Sequence, residues 1–385
     1  MTPPSAGSCL ALALVGVALS GCQKPIKPGD PLRDLTQAER ASFDSGRVTF
    51  DAVFTPETGL GPLFNSVSCG ECHEDPASGG VGDEVEVHAA AFRAPLCDPL
   101  VGEGGIVIQQ HATPALTAAL GIDSEPFPPS ATARALRTTP VLFGRGFLDL
   151  VPDSLILSYV DSADQNGDGV SGRPARFFDG RLGRFGRKGL VPVLDDFNAG
   201  AYVIEMGITS PAVPTEETVG GRPIPAGVDP VPEPEISQAT LEFTDAFVRF
   251  LAPPTPLKAN KAAKRGQQLF QDVGCAACHI PTLTTGASPI AALNRKAFSA
   301  YTDLLLHDMG PDLADICLVD ATPAEFRTEP LMGLRVKHDF MHDGRDTTLE
   351  AAIQSHGGEG ARARDNFLQL SADERAALVA FLKTL

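Results

Sequence analysis

The feature that most constrains this chain is a five-residue pattern that occurs twice, Cys69-Gly70-Glu71-Cys72-His73 and Cys275-Ala276-Ala277-Cys278-His279. C-x-x-C-H sets two thiols at the spacing that can add to the two vinyl groups of one porphyrin, and places an imidazole beside them to reach the iron. With eight Cys and eight His in 385 residues, chance placement would give roughly 0.003 copies. Two copies therefore point to two covalently bound haem c groups, attached through Cys69, Cys72, Cys275 and Cys278 and ligated by His73 and His279. A thioredoxin-like dithiol would expect a βαβ context that the surrounding sequence does not offer, and a zinc site would need a second ligand pair that is not evident.

A chain of this length with 43% hydrophobic residues has room for two or three globular domains. Its net charge of −17 excludes nucleic acid as a partner, because phosphate binding needs a basic stripe, and favours a cationic protein partner. The 38 Gly and 33 Pro imply much loop held by a modest set of helices. At the N-terminus, Leu10 to Leu19 is an apolar run too short to stay in a bilayer, and Leu19-Ser20-Gly21-Cys22 resembles a bacterial lipobox. The expectation is a signal peptide over 1–21 and a membrane anchor through lipid on Cys22, on the periplasmic face of the outer membrane. Met1 to Cys9 departs from that pattern in carrying no Lys or Arg. Cys97 and Cys317 remain unassigned; in an oxidising compartment they are either a disulfide joining the two halves or two buried thiols.

After a tether over 22–35, Thr36 and Glu39 form a capping-box pattern, and Phe43, Phe50, Val53 and Phe54 follow at helical spacing. Leu63-Phe64 is separated from Cys69 by four residues, as Leu269-Phe270 is from Cys275, which reads as a repeated unit. Each unit closes on an amphipathic pattern, Leu241, Thr244, Phe247, Val248 and Leu251 in the first, Leu378, Phe381, Leu382 and Leu385 in the second. Ser371 and Glu374 cap the latter. The expected fold is mostly α: two cytochrome c-like domains with long loop insertions, at 36–252 and 258–385, joined by a proline hinge at 253–257. The first unit is the longer and must hold the insertions. One is the seven-proline segment Ser210 to Glu235, expected as a surface strap. Another, Asp164 to Gly169, matches the first half of an EF-hand loop, so Asp164, Asn166 and Asp168 are candidate calcium ligands. Ala175 stands where the bidentate Glu belongs. A plain Asx-rich turn fits the same residues.

These motifs, with Thr138-Thr139-Pro140-Val141-Leu142-Phe143-Gly144, Gly183-Arg184-Phe185-Gly186-Arg187-Lys188, Met206-Gly207-Ile208-Thr209-Ser210-Pro211, Asp303 to Gly310 and His342-Asp343-Gly344-Arg345 before Thr348-Leu349-Glu350, resemble the di-haem oxidoreductases, a family often labelled thiol oxidoreductase. Bacterial di-haem cytochrome c peroxidases and methylamine-utilisation enzymes are its relatives. The resemblance implies that the second haem takes in electrons from a small donor such as a cytochrome c, and that the first reduces hydrogen peroxide or oxidises a protein substrate. It implies His356 as the distal ligand of the second haem, with Met309 in reserve, and His88 as a displaceable ligand of the first, with His111 as another option. It aligns Glu205 with the distal catalytic Glu of the peroxidases, and places His307 and His342 around the second haem. The chain departs from those relatives in having no Trp, the residue thought to relay electrons between their haems. A non-catalytic electron-transfer lipoprotein is the alternative from another class.

Overall fold

The computed structural model describes residues 24–385; the signal peptide and the lipid on Cys22 lie outside the described residues. Among those described, no helix is long and apolar enough to cross a membrane.

Helix α1 (Gln37–Phe50) starts at the expected capping box, with the Glu39 amide donating to Thr36 Oγ1 and the Thr36 amide to Glu39 Oε2 at 2.7 Å. It ends sooner than the spacing of Phe43, Phe50, Val53 and Phe54 predicts. Val53 is 66% exposed and Phe54 turns edge-on to Tyr202, beyond the helix. Two further helices complete the frame of the first unit, α2 (Leu194–Met206) and α3 (Gln238–Phe250). α1 crosses α3 at Gly46, where a Cβ would fall 2.0 Å from the Phe243 carbonyl oxygen, so only glycine permits the approach. Phe43 and Phe50 both meet the Phe247 ring there, at 5.1 and 4.8 Å between centroids.

The second unit repeats this crossing. α4 (Lys261–Asp272) is capped by Asn260, α5 (Leu349–Gln354) by Thr348, and α6 (Ala372–Leu382) by the predicted Ser371/Glu374 box. α4 crosses α6 at Gly266, where a Cβ would again lie 2.0 Å from a carbonyl oxygen, that of Ala377, and Phe270 packs on Phe381. Gly46 and Phe50 thus correspond to Gly266 and Phe270. This corrects the repeat read from Leu63-Phe64: those two residues form a short strand paired with His111–Ala112, whereas Leu269-Phe270 lie in α4. A shared dipeptide at a shared distance from Cys carries no information about backbone state.

The mostly-α expectation holds only loosely, with helix at 31% and strand at 14%. Between the first haem motif and α2, strand β1 (Val85–Arg93) pairs antiparallel with β2 (Leu96–Asp98), β3 (Val107–Ile108) and β4 (Ala133–Thr138). Ala89, Ala90 and Ala91 are consecutive and all buried, so this strand is covered on both faces. Segment 210–235 is indeed a strap without helix, held where Val219 and Val228 pack against Leu63 and Leu116.

The largest apolar core does not stop at the proline segment 253–257. It joins Phe43, Phe50, Phe247 and Leu251 to Leu283, Leu293, Phe298 and Leu305. Polar ties reinforce the join: Cys97–Cys317 is a disulfide with Cα atoms 5.8 Å apart, Arg173 grips Glu325 through Nε and Nη2 at 2.6 and 2.7 Å, and Lys188 Nζ donates to the carbonyls of Thr322, Pro323 and Glu325. Of the two readings of Cys97 and Cys317, the disulfide is the one observed.

Candidate functional site

Each C-x-x-C-H stretch is a tight turn closed by its own backbone. Ser68 caps the helical turn Cys69–Cys72 by accepting from the Glu71 amide at 3.0 Å, and the His73 amide donates to the Cys69 carbonyl at 3.1 Å. At the second motif, Gly274 in the left-handed region (φ 101°) opens the turn, and the His279 amide donates to the Cys275 carbonyl at 3.0 Å. These turns bring both thiols and the imidazole of one motif to one side. Burial pushes the thiols of Cys69, Cys72 and Cys275 up to about 12, so they are neutral.

Three of the four imidazoles expected on iron share a device. His73 Nδ1 donates to the Gly80 carbonyl at 3.1 Å, His279 Nδ1 to that of Tyr301 at 3.0 Å, and His356 Nδ1 to that of Ala352 at 2.7 Å. A carbonyl can only accept, so each Nδ1 carries the proton and each Nε2 keeps its lone pair, the form in which histidine ligates a metal. Burial holds all three neutral, pulling His73 and His279 down to about 4 and His356 also down.

His279 and His356 line one cavity of about 460 Å³, together with Cys275, Cys278, Phe270, Leu334, Phe340 and Ile353. α5, capped where Thr348 Oγ1 accepts from the Ala351 amide at 3.1 Å, delivers His356 to this wall. Met309 stands on the same wall, since a Cβ on Gly360 would touch the Met309 methyl and the His356 Cβ at 3.2 Å each. An apolar cavity with two thiols and two neutral imidazoles whose Nε2 atoms are uncommitted fits a haem.

The first site differs. His73 faces no second imidazole held in the same way. His88, on β1, has its Nε2 bonded to Glu86 Oε2 at 2.8 Å. His111 is exposed, against Phe64. Glu205, near the C-terminus of α2, lies close enough to Cys69 and Cys72 for its charge to act on both thiols. Asn65 Nδ2 donates to Glu205 Oε2 at 2.8 Å. Burial, and then the charge of Glu86, push the Glu205 carboxyl well above the usual carboxylate range, which favours its protonated form. Burial would raise Glu86 also, but His88, His73 and Arg137 outweigh it and keep Glu86 ionised. Two neighbouring carboxyls are thereby driven apart, one toward its neutral form and one toward its charged form.

His307 and His342 both line the cavity of the second site. His307 is held as an imidazolium: against its burial, Asp303 at 2.9 Å on Nε2 and Glu359 at 2.7 Å on Nδ1 raise it to about 12. His342 stacks on Phe326 at 4.4 Å and burial lowers it to about 4. The Asp164 to Gly169 loop is an Asx turn: Asp164 accepts from the Gly169 amide, Asn166 Oδ1 from that of Asp168, and Asp168 from that of Val170. Among the described residues, the acidic, His and Cys groups gathered closely enough to share an ion are Cys278–Asp303–His307 and Glu216–Asp229–Glu233–Glu235, and this loop is in neither. Asn65, Glu86 and Glu359 escape sequence reasoning, since single polar residues outside any motif give no signal until the fold gathers them.

The model of the family described as "di-haem oxidoreductase, putative peroxidase" matches residues 131–385. The chain belongs to this family. The di-haem name accords with two haem cofactors and an oxidoreductase of the peroxidase-like group; the matched stretch contains Glu205 and the second motif, with the first motif upstream of it. The methylamine utilization protein MauG of Methylorubrum extorquens is 36% identical over 130 residues, 32% of this chain and 34% of that protein, so the match spans about a third of the relative. Among solved structures, a hydrazine synthase of Kuenenia stuttgartiensis aligns over the whole of both chains at 15% identity and a TM-score of 0.42. The diheme peroxidase BthA of Burkholderia thailandensis aligns at 17% identity and a TM-score of 0.41, over 94% of this chain and 89% of that one.

Proposed function

We propose that this chain is an exported, lipid-anchored di-haem c-type cytochrome in which the haem at His279 and His356 takes in electrons and the haem at His73 reduces hydrogen peroxide. One observation carries this reading: the second site presents two neutral imidazoles with free Nε2 atoms, whereas the first presents one, beside a half-buried carboxyl whose pKa is pushed up. Two fixed axial ligands suit outer-sphere electron transfer; one ligand and an acid suit chemistry at the open position.

A bound haem with an open position would supply the iron that receives peroxide and the electrons that reduce it. The chain supplies the protons and the fit. Reduction of H2O2 to two waters consumes two electrons and two protons, and the oxygen nearest the iron must lose a proton that the far oxygen gains. Asn65 occupies Glu205 Oε2, which leaves Oε1 to make that exchange. Glu86, kept ionised by His88, favours return of a proton to Glu205 after each turnover. Cys69, Cys72, Cys275 and Cys278 fix the porphyrins through thioether bonds. A small cytochrome c fits as donor to an acidic protein, and the acidic surface offers nothing to nucleic acid. Calcium at Asp164, Asn166 and Asp168 would have to displace the backbone amides that those side chains now accept from.

The test is turnover. The purified di-haem protein, given reduced cytochrome c and hydrogen peroxide, should oxidise two equivalents of donor per peroxide. A protein that exchanges electrons with the donor but leaves peroxide untouched would be a carrier, and the enzymatic reading would fall. His356→Ala should convert the second haem from its low-spin state; an unchanged low-spin signal would remove His356 from the iron.

A further inference from the structure

Between the two haem sites lies a buried group of charges that does not balance. Glu329 accepts from Arg145 Nη2 through Oε1 at 3.1 Å and from Arg327 Nη2 through Oε2 at 2.6 Å, with Arg187 Nη1 3.5 Å from Oε2. Lys337 is the fourth cation acting on it. Four cations therefore surround one carboxylate. Asp339 and Glu86 act on Lys337 and Arg187 only at longer range, and Glu86 already faces His88 and Arg137. Burial lowers Arg187, Arg327 and Lys337, the last to about 8, as expected of cations short of anions.

The two arginines nearest Glu329 Oε2 are anchored: Arg187 Nη2 also donates to the Thr138 carbonyl, and Arg327 to those of Gly186 and Thr328. Lys337 is different. Its ammonium has no hydrogen-bond or ion-pair partner among the described residues, yet it lines the same cavity as Cys275, Cys278, His279 and His356, as do Arg187, Arg327 and Glu329. Arg145 points the other way, with its charge felt by His73. Buried unpaired cations cost several kcal/mol each unless an anion joins them, and the anions that fit here are carboxylates delivered on an apolar, planar body.

We propose that Lys337 and Arg187 bind the propionate carboxylates of the haem at His279, and that Arg145, linked through Glu329, extends this charged group toward the haem at His73. The inference rests on the reading that Cys275 to His279 carries a haem. Bound propionates complete the charge balance, and Lys337 stabilises the ferrous over the ferric state because reduction removes one positive charge. The site is thus a lever on the potential of the electron-accepting haem.

Spectroelectrochemical titration of Lys337→Gln tests this, with Lys337→Arg and the exposed Lys258→Gln alongside. Because the Lys337 side chain makes no hydrogen bond among the described residues, its loss should leave a folded protein. Pyridine haemochrome analysis of the unmodified protein first counts haems; fewer than two would defeat the haem reading itself. With two haems present, Lys337→Gln should lower the potential of the second haem by about tenfold in its reduction equilibrium, about 59 mV for one electron, Lys337→Arg should restore most of it, and Lys258→Gln should do nothing. A second-haem potential that is the same in Lys337→Gln as in the unmodified protein, or that Lys258→Gln moves equally, would overturn the proposal.

Discussion

The two haem units share a frame and differ in what the frame holds. In both, a helix crosses its partner at a glycine whose Cβ would strike a carbonyl oxygen, and four residues later a phenylalanine packs into the crossing. From there the chains diverge. Phe270 precedes Cys275 by five residues, while Phe50 precedes Cys69 by nineteen, the difference being the segment that supplies Asn65. The second unit then brings His356 and His279 to one cavity, and the first sets Glu205 near Cys69 and Cys72. Shared packing thus frames both C-x-x-C-H turns, and unshared loops decide which side chains stand beside each.

The comparison breaks most visibly at Glu205. Glu205→Gln should cost ~10²–10⁴-fold in the rate of peroxide reduction, the usual range for a general acid–base group, with the spectrum of the second haem unchanged; stopped-flow mixing with H2O2 checks this. Joining of the units comes next. Cys97→Ala with Cys317→Ala opens a link spanning 220 residues and should lose ~2–4 kcal/mol of stability in denaturant unfolding.

The shared crossings should respond alike. Gly46→Ala and Gly266→Ala each force a helix away from its partner and should cost ~1–3 kcal/mol, with the two losses adding in the double variant because the sites are separate. Unequal costs would show that the crossings are not equivalent. The smallest effect concerns Glu359, which belongs to the second unit alone. Burial would raise its pKa, but the His307 and Ser171 hydrogen bonds carry it down to about 2 from an ordinary 4.5. A depressed carboxyl stabilises the fold above its unfolded pKa and loses that contribution as pH falls through the folded one. The difference in Tm between the native protein and Glu359→Gln should therefore be full above pH 4.5 and shrink toward pH 2.

The parts of this arrangement that local chemistry dictates were legible in the sequence. The capping boxes at Thr36 and Ser371, the closing helices and the two C-x-x-C-H turns are written in consecutive residues, and so is the proline-rich strap. What depends on distant contacts was not. Val53 and Phe54 keep a helical period past the end of α1, because periodicity cannot tell a face turned to the core from one turned to solvent. Leu63-Phe64 mimics Leu269-Phe270 although strand pairing with His111–Ala112 claims it. The Ala-rich strand β1 gives no alternation because both faces are buried. At the sites, His356 could be placed by resemblance, and its tie to Ala352 is local, but the partners of Glu205 come from segments far apart in sequence. The Glu329 cluster is the extreme case, since its members lie on four separate stretches of chain.

The central claim is that the two sites are unlike in their axial faces. Electron paramagnetic resonance of the half-reduced protein, before and after hydrogen peroxide, addresses it directly. The account predicts one high-spin ferric haem, at His73, whose signal is lost on adding peroxide while the second haem remains low-spin. Two low-spin haems in every redox state, indifferent to peroxide, would contradict it.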